Sequence, residues 1–283
     1  MKLIDAFDFS ASFHPAWKDG GSGWTETFRI NRGHILDILG ANLNVNKIDK
    51  VKLAAFRAQL MLAPGHKGRR QPATVNRIMA LLNSVLKDLE ENEVIAKQPK
   101  LKPLKENGAR EEYYTKEQLE KMLFTAVDVF DDHELRDALK LAVFTGCRQS
   151  ELLKLEVGDV DLTRMMVTFR NTKNGTTHTL DLHPQLKEML AIRCENEPSD
   201  AKVFTGFSNR DNLYYRFCKV REYLGYSKKL VWHSLRHTTG TWLAENGCDV
   251  LTIARVLNHK STATTARYVK LTDKARKTAI NSL

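Results

Sequence analysis

Cysteine is scarce in this chain: four among 283 residues. Cys147, Cys194, Cys218 and Cys248 are separated by 47, 24 and 30 positions, a spacing that fits neither a zinc ribbon nor a dense disulfide framework, so they read as reduced bystanders. Glycine supplies only 15 residues and proline 7, which excludes a collagenous or low-complexity chain. No apolar run approaches the roughly 18 residues of a membrane span. The start, Met1-Lys2-Leu3-Ile4-Asp5, lacks the long apolar core of a signal peptide, so the expectation is a protein of the cytoplasm with no membrane partner. Also missing are a G-x-x-x-x-G-K loop, a G-x-G-x-x-G turn after a strand and a carboxylate cluster for a two-metal centre; no cofactor and no metal are expected.

Acidic residues are outnumbered, 34 to 44, for a formal charge of +10. Seventeen basic and 11 acidic residues precede Arg110, against 27 and 23 from there on, so the shorter stretch is more basic per residue. Such an excess points to a polyanionic partner. With 42% hydrophobic residues the chain is long enough for two domains. Lys97 to Arg110, KQPKLKPLKENGAR, has no apolar period and reads as a basic linker, taken as 98–110, between an N-terminal domain, residues 1–97, and a C-terminal domain, residues 111–283.

In the N-terminal domain, Val75, Ile78, Met79, Leu82, Val85, Leu86 and Leu89 share one helical face. Val51 to Leu62 reads as a second helix and Ile30 to Leu39 as a weaker third. Between the better two, the loop from Pro64 to Arg70 offers Lys67, Arg69 and Arg70 to phosphates, or is simply solvated; the sequence leaves both open. After the linker, Thr115 and Gln118 form a capping box for a helix to about Val127. Leu135, Ala138, Leu139, Ala142 and Val143 mark the next helix, which Gly146 is placed to end in a left-handed turn. Met165 to Arg170 and Thr176 to Leu182 read as strands flanking an Asn174-Gly175 hairpin turn. Ser208, Ser234, Asp249 and Ser261 are expected N-caps of further helices. The fold class is therefore mainly α with a small β-sheet (α+β).

Three clusters carry chemistry. Thr145-Gly146-Cys147-Arg148-Gln149-Ser150-Glu151-Leu152 places an arginine at a helix junction. His233-Ser234-Leu235-Arg236-His237 places His233 just outside an expected cap and Arg236 one turn inside. Leu257-Asn258-His259 is followed nine residues later by Tyr268. Each side chain alone has an ordinary explanation, such as satisfying carbonyls at a helix end or filling a core. Together, two arginines, two histidines, a turn lysine and a tyrosine can attack a phosphodiester with side-chain charge alone.

In order and spacing, Arg148 in Thr-Gly-X-Arg-X-Ser-Glu-Leu, Lys173 of the hairpin, His233-X-X-Arg236-His237, Leu257-X-His259 and Tyr268 resemble the tyrosine recombinases, the phage integrase and Xer-type family. The resemblance covers about residues 110–283, and six positions recur in order over 121 residues. Asn258 departs from it, standing where the family commonly has glycine; a turn is affected more than the chemistry.

The resemblance implies a helical SAM-like core-binding domain ahead of a mixed helical catalytic domain, the two closing on a DNA duplex as a clamp. It implies Tyr268 as nucleophile, Arg148 and Arg236 on the non-bridging oxygens, His233 as proton acceptor, Lys173 as proton donor to the leaving 5′-oxygen, and His259 as a hydrogen-bond donor to the phosphate. Glu151 would orient Arg148, or act only as a first-turn helix charge. Lys67, Arg69, Arg70, Lys100, Lys102 and Lys105 are candidate DNA contacts. Implied partners are duplex DNA with specific core sites, a homo-tetramer meeting at a Holliday junction, and an optional accessory DNA-bending protein; in the cell the chain would sit with the nucleoid, or in the host cytoplasm if phage-encoded. Thr272 to Leu283, with Ala275, Ala279, Ile280 and Leu283, would form a tail helix that docks on a neighbouring subunit or packs on its own. The 20 or so residues before the first expected helix are too few for an extra arm-binding domain. A type IB topoisomerase, a non-enzymatic DNA-binding regulator and a metal-dependent hydrolase are the rival readings.

Overall fold

The computed structural model describes residues 1–14, 17, 23–65, 68–106, 112–170 and 177–270. Two compact units divide the chain, Met1–Ala109 and Arg110–Leu283.

The first unit is helical: α1 (Leu3–Phe13), α2 (Gly23–Leu39), α3 (Lys50–Leu62) and α4 (Pro72–Glu91), with a two-stranded hairpin of β1 (Pro64–Gly65) and β2 (Gly68–Arg69) between the last two. All seven apolar positions read on one face of α4 are buried, and Leu3, Phe7, Ile35, Leu53, Phe56 and Leu60 of the other helices close over them. Asp49 caps α3 by accepting from Lys52 N at 2.7 Å. Helix α1 lies where the sequence pattern predicts none. Its Leu3, Ala6, Phe7 and Ser10 do face the core at helical spacing, but Asp5 and Asp8 interrupt the run and no side chain caps its start. Asp8 is instead paired with Arg32 of α2 at 2.9 Å.

The basic stretch expected as a linker is docked for most of its described length. Asn76 of α4 donates to Leu104 O and accepts from Leu104 N, both at 2.9 Å, Gln98 Nε2 donates to Asn83 O, and Arg57 donates to Lys102 O. Backbone pairing to α3 and α4 side chains supplies what apolar period does not, so residues up to 106 belong to the first unit.

The second unit is built on α5 (Lys116–Asp128) and α6 (His133–Thr145), followed by the single turn α7 (Gln149–Leu152). Both halves of the expected capping box form, Gln118 N to Thr115 Oγ1 at 3.1 Å and Thr115 N to Gln118 Oε1 at 3.0 Å. Gly146 ends α6 at φ 65°, the left-handed turn read from the sequence, and a Cβ there would lie 2.5 Å from Leu257 Cδ2. A three-stranded antiparallel sheet follows, β3 (Val160–Asp161), β4 (Met166–Phe169) and β5 (His178–Asp181), with Val167 opposite Leu180 and Phe169 opposite His178. The hairpin turn of residues 171–176, and Lys173 with it, lies outside the described residues, as do Lys67 and the tail segment 272–283.

The remaining helices are α8 (Lys187–Cys194), α9 (Arg210–Tyr223), α10 (Trp232–Glu245), α11 (Val250–Val256) and α12 (Thr262–Lys270). Two expected caps are corrected. Asn209, not Ser208, caps α9 by accepting from Asn212 N, because Asn209 is the residue on extended backbone immediately before the first turn, from where its carboxamide oxygen reaches the third helical amide. Helix α10 begins at Trp232, and Ser234 sits inside its first turn, reaching back to accept from Val231 N. His233 is thus the second residue of the helix rather than outside it. Asp249 and Ser261 accept from the first turns of α11 and α12.

Candidate active site

Helix α10 is buried nearly all round, and much of what it buries is polar: Ser234, Arg236, His237, Thr238, Thr239 and Thr241. Most of those groups have named partners. Thr239 Oγ1 donates to Val143 O at 2.7 Å, and Thr238 Oγ1 donates to Ser234 O at 2.8 Å and accepts from Tyr114 N. The helix is thereby locked at a fixed rotation between α6 and α12, which aims its chemical side chains.

Arg236 is the hub. Its Nη1 donates to Gly146 O at 2.6 Å and its Nη2 to Leu257 O. One guanidinium therefore ties together the α6–α7 turn, which bears Arg148, and the α11–α12 turn, which bears His259. Burial, and then the nearby Arg148 charge, push Arg236 down to about 10, so it stays cationic at neutral pH. Glu151 grips Arg148 twice, accepting from its backbone N at 2.7 Å and from Nη1 at 2.6 Å. The carboxylate is buried. Two neighbouring guanidiniums with one carboxylate between them leave a net positive site for an anion.

Tyr268 is only 2% exposed. Its ring packs on Gly240 of α10 so closely that a Cβ there would lie 2.7 Å from the ring carbons. The hydroxyl is hydrogen-bonded to His237 Nδ1 at 2.8 Å. Burial raises the phenol above its ordinary value, opposed by the guanidiniums of Arg267 and Arg236. His259 lies parallel to the Tyr268 ring with centroids 6.4 Å apart, and its Nδ1 is 2.8 Å from Thr265 Oγ1. Burial first, and then Arg236, Arg267 and Arg148, push His259 down to about 4. His237 is pushed down to about 3 by burial, then by His233, Arg267, Arg236 and His259.

His233 is exposed and opens on a cleft of about 670 Å³ lined also by Arg148, Gln149, Arg210, Tyr214 and Trp232. Its ring meets that of His237 edge-on, centroids 4.9 Å apart. Asn258, where glycine is usual, adopts φ 48°, the left-handed conformation asparagine tolerates better than most side chains. Strand β5 is anchored beside the site: His178 Nε2 donates to Val256 O at 3.1 Å.

Five of the six expected catalytic positions, Arg148, His233, Arg236, His259 and Tyr268, thus converge on α10 and the turns it organises, with Glu151 behind Arg148. The sixth, Lys173, falls in the turn that is not described. In the first unit Arg69, Lys100, Lys102 and Lys105 are exposed, whereas Arg70 Nη2 lies 3.2 Å from both ring nitrogens of His34. His237 and Arg267 are not singled out for roles by the sequence. Gly240, three residues beyond His237 in a helix, is the signal available, because glycine there marks a close approach. Among the described residues no group of three or more His, Cys, Asp or Glu side chains is placed to hold a metal ion, and no helix is long and apolar enough to cross a membrane.

The chain aligns with curated recombinases over some of its length. Tyrosine recombinase XerA of Saccharolobus solfataricus is 32% identical over 133 residues, covering 47% of this chain and 44% of that protein. XerA of Pyrococcus furiosus is 29% identical over 175 residues, 59% of each. The chain spans about half the length of the curated relatives it matches. Among solved structures, the Tn1549 transposon integrase in complex with a circular intermediate DNA shares the fold over 100% of both chains, with TM-score 0.80 and 16% identity. A lambda integrase dimer bound to a core site gives TM-score 0.74 and 16% identity over 93% of this chain and 97% of that one. The profile of the phage integrase family matches residues 112–275, the segment that carries every element of the site just described, and the chain belongs to that family.

Proposed function

We propose that this protein is a site-specific DNA recombinase that cuts and rejoins strands through a 3′-phosphotyrosyl link to Tyr268. The observation that carries the reading is the single guanidinium of Arg236, which bonds both turns bearing Arg148 and His259 while α10 packs against Tyr268. A nucleophile, a paired-arginine anion site and histidines are assembled by one helix.

The roles follow from the chemistry. Arg148 and Arg236 bind the non-bridging oxygens and stabilise the five-coordinate transition state, for which planar, permanently charged donors are suited. Glu151 fixes the Arg148 fork. His259 donates to the phosphate, and Lys173 protonates the departing 5′-oxygen. A phosphotyrosyl ester retains the energy of the broken bond, so a second 5′-hydroxyl reverses the step without ATP or metal. Four subunits on two paired sites would exchange strands in pairs through a Holliday junction. The first unit, with Arg69, Lys67 and the docked lysines Lys100, Lys102 and Lys105, supplies phosphate attraction as the core-binding domain. With about ten phosphates contacted, log affinity should fall against log salt with a slope near −9. Several solved relatives of the same fold are bound to DNA, and one lambda integrase structure is a tetramer on a Holliday junction. The lambda structure supports an assembly of this kind here.

The test is covalent capture from a pool of random-sequence duplexes, trapping adducts by denaturation. The parent protein should link to a defined subset of sequences. The Tyr268→Phe protein should bind those sequences equally well and form no adduct. An adduct that persists in the Tyr268→Phe protein, or none with the parent on any duplex, rejects the reading. Efficient relaxation of a supercoiled plasmid lacking a captured sequence would assign a topoisomerase instead.

A further inference from the structure

We propose that His237 is the base that takes the proton from Tyr268, and that it exchanges that proton with solvent through His233; this rests on the strand-cleavage reading above. The geometry comes first. His237 Nδ1 lies 2.8 Å from the Tyr268 hydroxyl, while the ring of His233 meets it edge-on from the cleft side, 4.9 Å away between centroids. Both histidines belong to α10, four residues apart on one face. The buried hydroxyl, the His237 ring and the exposed His233 ring thus follow one another in contact, the order in which the proposed transfer runs.

The direction of the hydrogen bond follows from the neighbours. Arg267, whose guanidinium carbon lies 5.1 Å from the Tyr268 ring centroid, also hydrogen-bonds the phenol and carries only donors. The phenol oxygen turns its lone pairs to that side and its hydrogen to Nδ1, which leaves His237 neutral with its own hydrogen on Nε2.

During attack the O–H bond of Tyr268 breaks as Nδ1–H forms. The phenolic electron pair bonds to phosphorus, the bond from phosphorus to the 5′-oxygen breaks, and that oxygen leaves with a proton from Lys173. His237, now an imidazolium, gives up its Nε2 proton toward His233. What remains is neutral imidazole bearing its hydrogen on Nδ1, which returns that proton to the tyrosine oxygen when a second strand displaces it, as Nε2 takes a proton back through His233 and the ring stays neutral. One residue thus serves both cleavage and rejoining.

The surroundings make the base conditional on substrate. His233 and Arg236 on α10, Arg267 and Tyr268 on α12, and His259 on the preceding turn are the titratable and charged groups facing His237, and with burial they hold it far below the ordinary histidine range in the free protein. A phosphodiester seated between Arg148 and Arg236 brings negative charge into that set and raises the basicity of the ring. The nucleophile is therefore activated when a phosphate is in place.

The experiment uses the duplex captured by the parent protein, remade with sulfur in the bridging 5′ position so that no proton donor to the leaving group is needed. Adduct formation is followed in a single turnover from pH 6 to 9. His237→Ala and His237→Asn should both bind the duplex as the parent does and react about 10²- to 10⁴-fold more slowly at pH 7. The loss should shrink about tenfold per pH unit on the alkaline side as phenolate forms unaided, and imidazole in the buffer should accelerate His237→Ala. Asparagine accepts the same hydrogen bond and cannot hold the proton, so an Asn variant within threefold of the parent overturns the role, as does a loss of equal size at every pH without imidazole rescue. A parent protein that forms no adduct rejects the recombinase reading itself, an outcome distinct from both. If His237→Ala does not fold, the near-isosteric Asn variant carries the test.

Discussion

Helices α4 and α10 are the spines of their units, and they are held by opposite means. Helix α4 buries a stripe of aliphatic side chains against three neighbours, with hydrogen bonds between Asn76 and Asn83 and the 98–104 stretch only at its margin. Helix α10 buries threonines, an arginine and a histidine that hydrogen-bond to other segments, and Tyr268 lies beyond it in a small separate cluster with Ala244, Ile253 and Leu257. Hydrophobic burial is non-directional, so α4 gains stability without fixing any one atom closely. Hydrogen bonds are directional and modest in net stability, so α10 gains placement instead. The lesson is that this chain separates stability from positioning, and the two should respond to mutation differently.

The largest expected effect on stability tests the α4 side. Leu82→Ala should cost about 2–5 kcal/mol by loss of transfer energy and cavity formation. Unfolding of the first unit in denaturant would report it, while the rate of adduct formation per folded, DNA-bound molecule should stay within twofold. A rate that falls with stability would break the separation.

Next comes Gly240→Ala on α10. The added methyl meets the Tyr268 ring and should cost about 1–3 kcal/mol of overpacking. Here the rate of adduct formation should fall with DNA affinity unchanged, because the displaced group is the proposed nucleophile. Equal rates in the two proteins would show that Tyr268 leaves Gly240 before it reacts.

The smallest effect, taken between pH 7 and 6, is a pH dependence. His237 and His259 have folded values of about 3 and about 4, below the ordinary 6.5. The unfolded chain accepts protons below about pH 6.5 that the folded chain refuses. Stability from these two groups is therefore complete above that pH and declines as pH falls toward 4, by at most about 1.4 kcal/mol per unit for each. His34 beside Arg70 contributes with the same sign in the first unit. Thermal unfolding midpoints at pH 7, 6 and 5 would measure the decline, and His237→Asn should flatten it where Leu82→Ala should not.

The contrast also explains which regions of the molecule are legible in the sequence. The α4 face, the Thr115 capping box and the Gly146 turn are readable because period and local chemistry are short-range. Helix α1 escapes such a reading because two aspartates interrupt its apolar positions, and its partners come from elsewhere in the unit. Helix α10 is placed by its motif rather than its period, and its first turn misleads: Ser234 resembles an N-cap in sequence but serves inside the helix. The docking of residues 98–106 rests on the Asn76 and Gln98 side chains reaching across loops, which no local pattern announces.

Sequence alone brought forward Arg148, His233, Arg236, His259 and Tyr268, through spacings that resemble those of the tyrosine recombinases. Tertiary structure decided the pairings. It placed His237 on the Tyr268 hydroxyl and two carbonyls on Arg236, whereas Glu151 meets Arg148 only three residues away, a pairing the sequence already offers. The physical reason is that partner choice here depends on contacts across 31 residues from His237 to Tyr268 and 90 from Gly146 to Arg236, fixed only when α6, α10 and α12 pack together.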